Sequence, residues 1–167
     1  MKKLILLLTL FALSLKVAGA EIIPFHKWPQ LKTQYGRVLV AENQLLSHQG
    51  FGGASAADCR KTFIWFPDIS EGTEFENCDH GYGPVIVDIG IAFLNESGKV
   101  LKISVMKAKK GNSIAPQGTS AAVEAIPSLL KKAGFKEGKQ APFFLLPEDM
   151  PAGNTAFRNW KIVFPEK

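Results

Sequence analysis

The sequence lacks the short motifs that identify the common classes of enzyme. It contains no glycine-rich phosphate-binding loop, no G-x-S-x-G elbow and no H-E-x-x-H. Its three histidines are scattered, and its two cysteines form no C-x-x-C pair. No spacing therefore places two metal ligands on one turn of the chain. These absences favour a protein that is not an enzyme and that carries no cofactor and no metal.

A large excess of charge of one sign is also absent. The chain of 167 residues has 20 basic and 15 acidic residues, and three of its lysines (Lys2, Lys3 and Lys16) fall within the first 20 positions. The remaining 147 residues carry a net charge of only +2. A strongly basic nucleic-acid-binding surface is excluded by this balance.

Only one long hydrophobic run occurs, and it lies at the N-terminus. Met1–Lys3 is positively charged, residues 4–15 are almost entirely apolar, and Ala18–Ala20 supplies the small residues that a signal peptidase requires. The run is too short to span a bilayer. We therefore expect residues 1–20 to be a Sec-type signal peptide cleaved after Ala20. The mature chain, residues 21–167, is then a single globular domain in the bacterial periplasm or outside the cell, without stable membrane insertion.

An oxidising compartment favours pairing of the two cysteines. A Cys59–Cys78 disulfide would close a loop of about 20 residues and would stabilise the fold by about 3 kcal/mol in the chain-entropy model. It would also hold His80 and Tyr82 above the next strand. A metal- or thiol-dependent protein that uses Cys59, Cys78 and His80 is the alternative.

The pattern of apolar runs and turn residues predicts a β-rich α+β domain. One or two short helices are expected: one at residues 127–133, ended by Gly134, and a second that residues 42–49 could form, ended by Gly50. Polar loops are expected at residues 68–83 and 107–118. We expect six or seven strands, forming a small distorted β-barrel; the apolar runs that predict them are residues 37–41, 62–66, 85–94, 99–106, 121–126, 142–146 and 160–164.

Several of these segments resemble the prokaryotic family called domain of unknown function 192 (UPF0127). The similar segments are Gln49–Phe51, Phe63–Pro67, Val87–Val100, Val123–Ala125 and Lys132–Gly138. The W-M-K-N-T block of the family is absent, and G-Y-G-P occupies its place. The resemblance implies a small distorted β-barrel, and it implies no chemistry because the family has no established activity.

Five residues are candidates for ligand binding. Asp88 lies in an apolar run that should be buried, where a carboxylate must be either paired or functional. His80 and Tyr82 precede that run, while Trp28 and Trp160 lie in polar or glycine-rich surroundings and could line a groove. We expect a non-catalytic binding or accessory protein whose partner is another periplasmic protein or a small ligand. A periplasmic inhibitor or immunity protein against a secreted enzyme or toxin is the alternative.

Overall fold

The computed structural model describes residues 21–148 and 160–165. The predicted signal peptide, residues 1–20, lies outside these ranges. A 3-10 turn, Phe25–Lys27, precedes the first strand. The described elements are, in chain order, β1 Gln30–Lys32, β2 Arg37–Val40, α1 Gln44–Gln49, α2 Ala56–Cys59, β3 Thr62–Phe66, β4 Glu74–Glu76, β5 Ile89–Leu94, β6 Val100–Met106, β7 Asn112–Ile114, β8 Ala121–Ala125, α3 Pro127–Ala133, β9 Phe144–Pro147 and β10 Trp160–Val163.

Six strands form the central sheet, in the order β1-β2-β3-β8-β5-β6. Strands β2 and β3 are parallel, and the other neighbouring pairs are antiparallel. Strands β3, β5 and β8 are buried along their whole length. Strand β8 pairs with β3 and β5, so neither of its backbone edges is exposed to water.

Each face of this sheet carries its own hydrophobic core. On the first face, α3 and the β9–β10 pair cover residues such as Phe63, Val123 and Leu94. On the second face, the N-terminal segment, α1 and β4 cover residues such as Ile64 and Ile91. Alternate residues of one strand point to opposite faces, so β8 contributes to both cores.

A separate two-stranded ribbon, β4 with β7, lies on the second face. Phe75 anchors it, because its ring packs edge-on against Phe66 and Phe93 at centroid distances of 5.1 and 5.7 Å. Both strands of this ribbon fall within segments that the sequence predicted to be loops. Three-residue strands give too short a pattern to be recognised from sequence alone.

The structure confirms the prediction of a β-rich domain with few helices. Strand β3 ends at Pro67, α3 begins at Pro127, and Gly134 ends that helix in the left-handed conformation with φ of 98°. The edge strands β1 and β6 are not paired with each other, so the sheet is open within the described residues and a closed barrel is not confirmed. In the same part of the chain, none of the helices is long and apolar enough to cross a membrane.

Candidate functional site

A large cavity of about 830 Å³ lies on the second face of the sheet. Helix α1 forms one wall, and the segment from Phe66 to Tyr82, which includes β4, forms the opposite wall. The floor is the sheet itself. The apolar residues that line the cavity are Phe51, Phe66, Pro67, Ile69, Phe75, Val85, Ile89 and Met106, and the ionisable ones are His48, Asp68, Glu74, Glu76, Cys78, His80, Tyr82 and Glu124.

Glu124 is a buried carboxylic acid in the floor of this cavity. It lies in the middle of β8, directly opposite Ile64 of β3 and Ile91 of β5. Only 7% of its surface is exposed. No side chain or backbone group of the described residues hydrogen-bonds its carboxyl group. The acid is therefore open to the cavity but has no protein partner among them.

This environment keeps Glu124 neutral. Burial raises the pKa of Glu124 to about 8, and burial is the sole cause. An ionised carboxylate in apolar surroundings loses its hydration without gaining a partner, so the protonated form is favoured. At neutral pH the acid presents an O–H donor and a carbonyl acceptor to the cavity.

Helix α1 closes the cavity over Glu124. Asn43 caps its N-terminus by accepting a hydrogen bond from the backbone N–H of Leu46. Gly50 ends the helix with φ of 48°, and a Cβ at this position would lie 3.7 Å from Glu124 Oε2. Gln49 ties the helix to the N-terminal segment, since its side-chain amide exchanges two hydrogen bonds with the backbone of Ile23. Hydrogen bonds therefore fix both ends of helix α1 beside Glu124.

Three potential metal ligands lie together on the opposite wall. Cys78 Sγ is 3.3 Å from His80 Nε2 and 3.7 Å from Glu76 Oε2, and the last two atoms are 3.4 Å apart. All three residues line the cavity, with Glu76 and His80 exposed and Cys78 half-buried. The site combines a thiol, an imidazole and a carboxylate, which are the donor types of zinc sites.

The residues between these ligands fix the backbone. Asn77 is 2% exposed, and its Nδ2 lies within hydrogen-bond distance of the carbonyl oxygens of Val87, Met106 and Lys107. Asp79 Oδ1 accepts from the backbone N–H groups of residues 81 and 83. The side chains of Asn77 and Asp79 therefore bind backbone groups, whereas the donor atoms of the alternate residues 76, 78 and 80 lie close to one another.

The predicted Cys59–Cys78 disulfide is wrong for this structure, because both cysteines are free. Cys59 ends α2 and is buried in the second core, where burial raises its pKa to about 11. Cys78 lies on the cavity wall, where burial and the neighbouring Glu76 raise its pKa. The structure therefore separates the two thiols. Cys59 does not belong to the predicted group of Cys59, Cys78 and His80, whereas Cys78 and His80 lie together on the cavity wall.

Asp88 is not the buried acid that its apolar neighbours predict. It precedes β5, its side chain is 39% exposed, and its Oδ2 lies 2.8 Å from Lys107 Nζ. Its Oδ1 accepts from the N–H of Ala108. The hydrogen bonds from Lys107 and Ala108 lower the pKa of Asp88. The residue joins the start of β5 to the end of β6 and does not line the large cavity.

The other predicted site residues divide between the cavity and the core. His80 and Tyr82 line the large cavity. Trp28 is 3% exposed and donates from Nε1 to the carbonyl of Ile23, so it is a core residue. Trp160 donates from Nε1 to Glu42 Oε2 and lines a separate, smaller cavity of about 200 Å³. The structure does not bring these five candidates, including Asp88, into one site.

Glu124 and Glu76 are site residues that the sequence patterns did not predict. Glu124 lies inside an apolar strand, in the A-A-V-E-A run of β8, whereas Asp88 precedes its strand. The E-x-C-x-H spacing at residues 76–80 places alternate residues of an extended chain on one side. That period-2 pattern is a signal for a ligand set even though no two ligands share a helical turn.

Comparison with known proteins gives a structure with a similar fold but assigns the chain to no family. No family model matches the sequence, and no curated protein matches it either. A proposed transcription regulator from Sinorhizobium meliloti 1021 is 14% identical, with a TM-score of 0.48 over 63% of this chain and 79% of that one. A protein of unknown function from Novosphingobium aromaticivorans DSM 12444 is 16% identical, with a TM-score of 0.51 over 74% of this chain and 94% of that one. The chain thus shares the fold of the Novosphingobium protein.

Proposed function

We propose that this protein is an exported, non-catalytic binding protein whose cavity takes a small ligand. The observation that carries the proposal is the unpartnered, neutral carboxyl group of Glu124 in the floor of the large cavity. Unpaired polar groups in a concave, partly apolar pocket are typical of ligand sites, because the ligand supplies the missing hydrogen bond. No described residue hydrogen-bonds Glu124, so its carboxyl group is available to a ligand.

The lining defines the chemistry of the ligand. A protonated Glu124 donates one hydrogen bond, so the ligand carries an uncharged acceptor such as a carbonyl or an amide. Phe51, Phe75 and Met106 offer apolar contact beside it. Glu74 and Glu76 on the rim disfavour an anion. We therefore expect a small neutral or cationic molecule with an apolar part.

A ligand screen with two variants of Glu124 tests this proposal. The probe is a set of small amides, ketones and alkylammonium compounds, followed by saturation-transfer NMR on the full chain. Glu124→Gln keeps a donor and should keep binding, whereas Glu124→Leu should weaken it by about tenfold, the cost of one buried hydrogen bond. Asp88→Asn, outside the cavity, is the matched control and should bind as the unmodified protein does. Failure of every probe class to bind, or equal binding by the Leu variant, contradicts the proposal.

Export rests on the sequence of residues 1–20. A positive start, an apolar run and A-G-A before position 21 support cleavage after Ala20. Mass spectrometry of protein recovered from the periplasm or the medium should give Glu21 as the first residue. Recovery of exported protein that still begins at Met1 would contradict the cleavage site.

Membership in domain of unknown function 192 is likewise a proposal, supported by the five similar segments.

A further inference from the structure

We propose that Glu76, Cys78 and His80 form a site for a zinc ion on the wall of the cavity. This site goes beyond the proposed function: its ligands border the same cavity but lie on the wall opposite α1 and do not include Glu124. It also differs from the grouping of both cysteines with His80 that the sequence suggested, since Cys59 takes no part. Three features support the site: the distances between its donor atoms, their chemistry and the way in which the backbone is held.

The distances between the three donor atoms fit a tetrahedral zinc ion. Zinc lies about 2.3 Å from a thiolate sulfur and about 2.0 Å from an imidazole nitrogen or a carboxylate oxygen. Tetrahedral angles then require about 3.5 Å between the sulfur and either of the other two donor atoms, and about 3.3 Å between N and O. The structure has 3.3, 3.7 and 3.4 Å for these pairs. The observed separations therefore differ from the tetrahedral values by no more than about 0.2 Å.

The donor set selects the class of metal. A thiolate excludes the hard cations Mg²⁺ and Ca²⁺, which take oxygen ligands. One sulfur, one nitrogen and one oxygen form a borderline set that suits Zn²⁺ in tetrahedral geometry. Three protein ligands leave a fourth position, and all three residues border the cavity. An open position of this kind distinguishes reactive or exchanging zinc sites from closed structural ones.

The backbone on both sides of Cys78 is fixed before any ion arrives. Asn77 is buried and its amide nitrogen contacts three backbone carbonyls, while its Oδ1 is buried without a hydrogen-bond partner among the described residues. Asp79 accepts two backbone hydrogen bonds from the following turn. Ligands carried on a fixed backbone lose less conformational entropy when they bind. Asn77 and Asp79 are positioning residues in this proposal.

Cobalt and zinc titrations of the reduced, metal-free full chain test the site. Co²⁺ should bind in a 1:1 ratio and produce a sulfur-to-cobalt charge-transfer absorption with tetrahedral d–d bands, and one equivalent of Zn²⁺ should remove both. Cys78→Ser should abolish the charge-transfer absorption. His80→Ala and Glu76→Gln should each weaken Zn²⁺ binding by at least about tenfold.

Three control variants distinguish this site from metal binding elsewhere on the chain. Cys59→Ser removes the buried thiol and should leave cobalt absorption unchanged. Glu74→Gln removes an exposed acid from the same strand and should leave Zn²⁺ affinity unchanged. Glu124→Gln should also keep the metal, so that failure of the proposed function and failure of the metal site are distinguishable. Octahedral cobalt spectra, the absence of 1:1 binding, or binding unaffected by Cys78→Ser would overturn the proposal.

Discussion

Replacement of Glu124 by Gln should remove a large pH dependence of stability. The unfolded chain has an ordinary glutamate with a pKa of 4.5, whereas burial raises the pKa of Glu124 to about 8 in the folded protein. Between these values the folded state holds a proton that the unfolded state has released. Stability therefore falls as pH rises through this interval and stays low above it.

The two pKa values give the size of the effect. The interval between them is about 3.5 pH units, and each unit corresponds to about 1.4 kcal/mol, so full ionisation costs about 5 kcal/mol of unfolding free energy. Gln has nearly the same shape and never ionises. Relative to the variant, the unmodified protein should lose less than about 1 kcal/mol at pH 5 and about 5 kcal/mol at pH 9.

Urea unfolding at a series of pH values, followed by circular dichroism, measures this difference. Other titrating groups contribute equally to both proteins and cancel in the comparison. Asp88→Asn is a control: the pKa of Asp88 is lowered, so its contribution is lost only as pH falls below the ordinary pKa of 3.8 and should stay constant from pH 5 to pH 9. A free-energy difference between the unmodified protein and Glu124→Gln that stays constant from pH 5 to pH 9 would contradict a raised pKa at Glu124.

Two further outcomes are expected. Asn77→Ala should lower the unfolding free energy by about 2 kcal/mol, because the two N–H donors of the buried amide are lost to the backbone carbonyls around it. A loss below about 0.5 kcal/mol in urea unfolding would show that the amide is not an anchor. Cys78, half-buried on the cavity wall, should react with Ellman's reagent in the native protein, whereas Cys59, which is 0% exposed, should react only after unfolding. Two unreactive thiols of unchanged mass after alkylation would instead indicate a disulfide.

Local chemistry made much of the fold predictable from sequence. Pro67 ends β3, Pro127 begins α3 and Gly134 ends it, because these residues restrict or free the backbone wherever they occur. The β5–β6 hairpin lies in the predicted apolar runs 85–94 and 99–106, and Asn95–Gly98 joins them with φ of 77° at Gly98. The order of the strands in the sheet was not predictable, since it depends on contacts between distant segments.

The candidate site was harder to predict, for a physical reason. Asp88 and Glu124 both lie among apolar residues in the sequence, and only the sheet decides which of them is buried. β8 has neighbours on both sides and buries Glu124, whereas Asp88 falls before the first residue of β5 and meets Lys107. The disulfide prediction was wrong for a similar reason: an even number of cysteines and an oxidising compartment do not determine the distance between two thiols.

Strand β8 also has a consequence for the order of folding. The segment from β5 through α3 can pair locally, since β5 contacts both β6 and β8 within about 45 residues of chain. Docking of β3 against β8 joins segments that are farther apart and places Ile64 opposite Glu124. We expect this pairing to form later than the local ones and to remove water from around the acid. We therefore expect folding to take up a proton as the two halves of the sheet meet, and to slow when the solution is too alkaline to supply one.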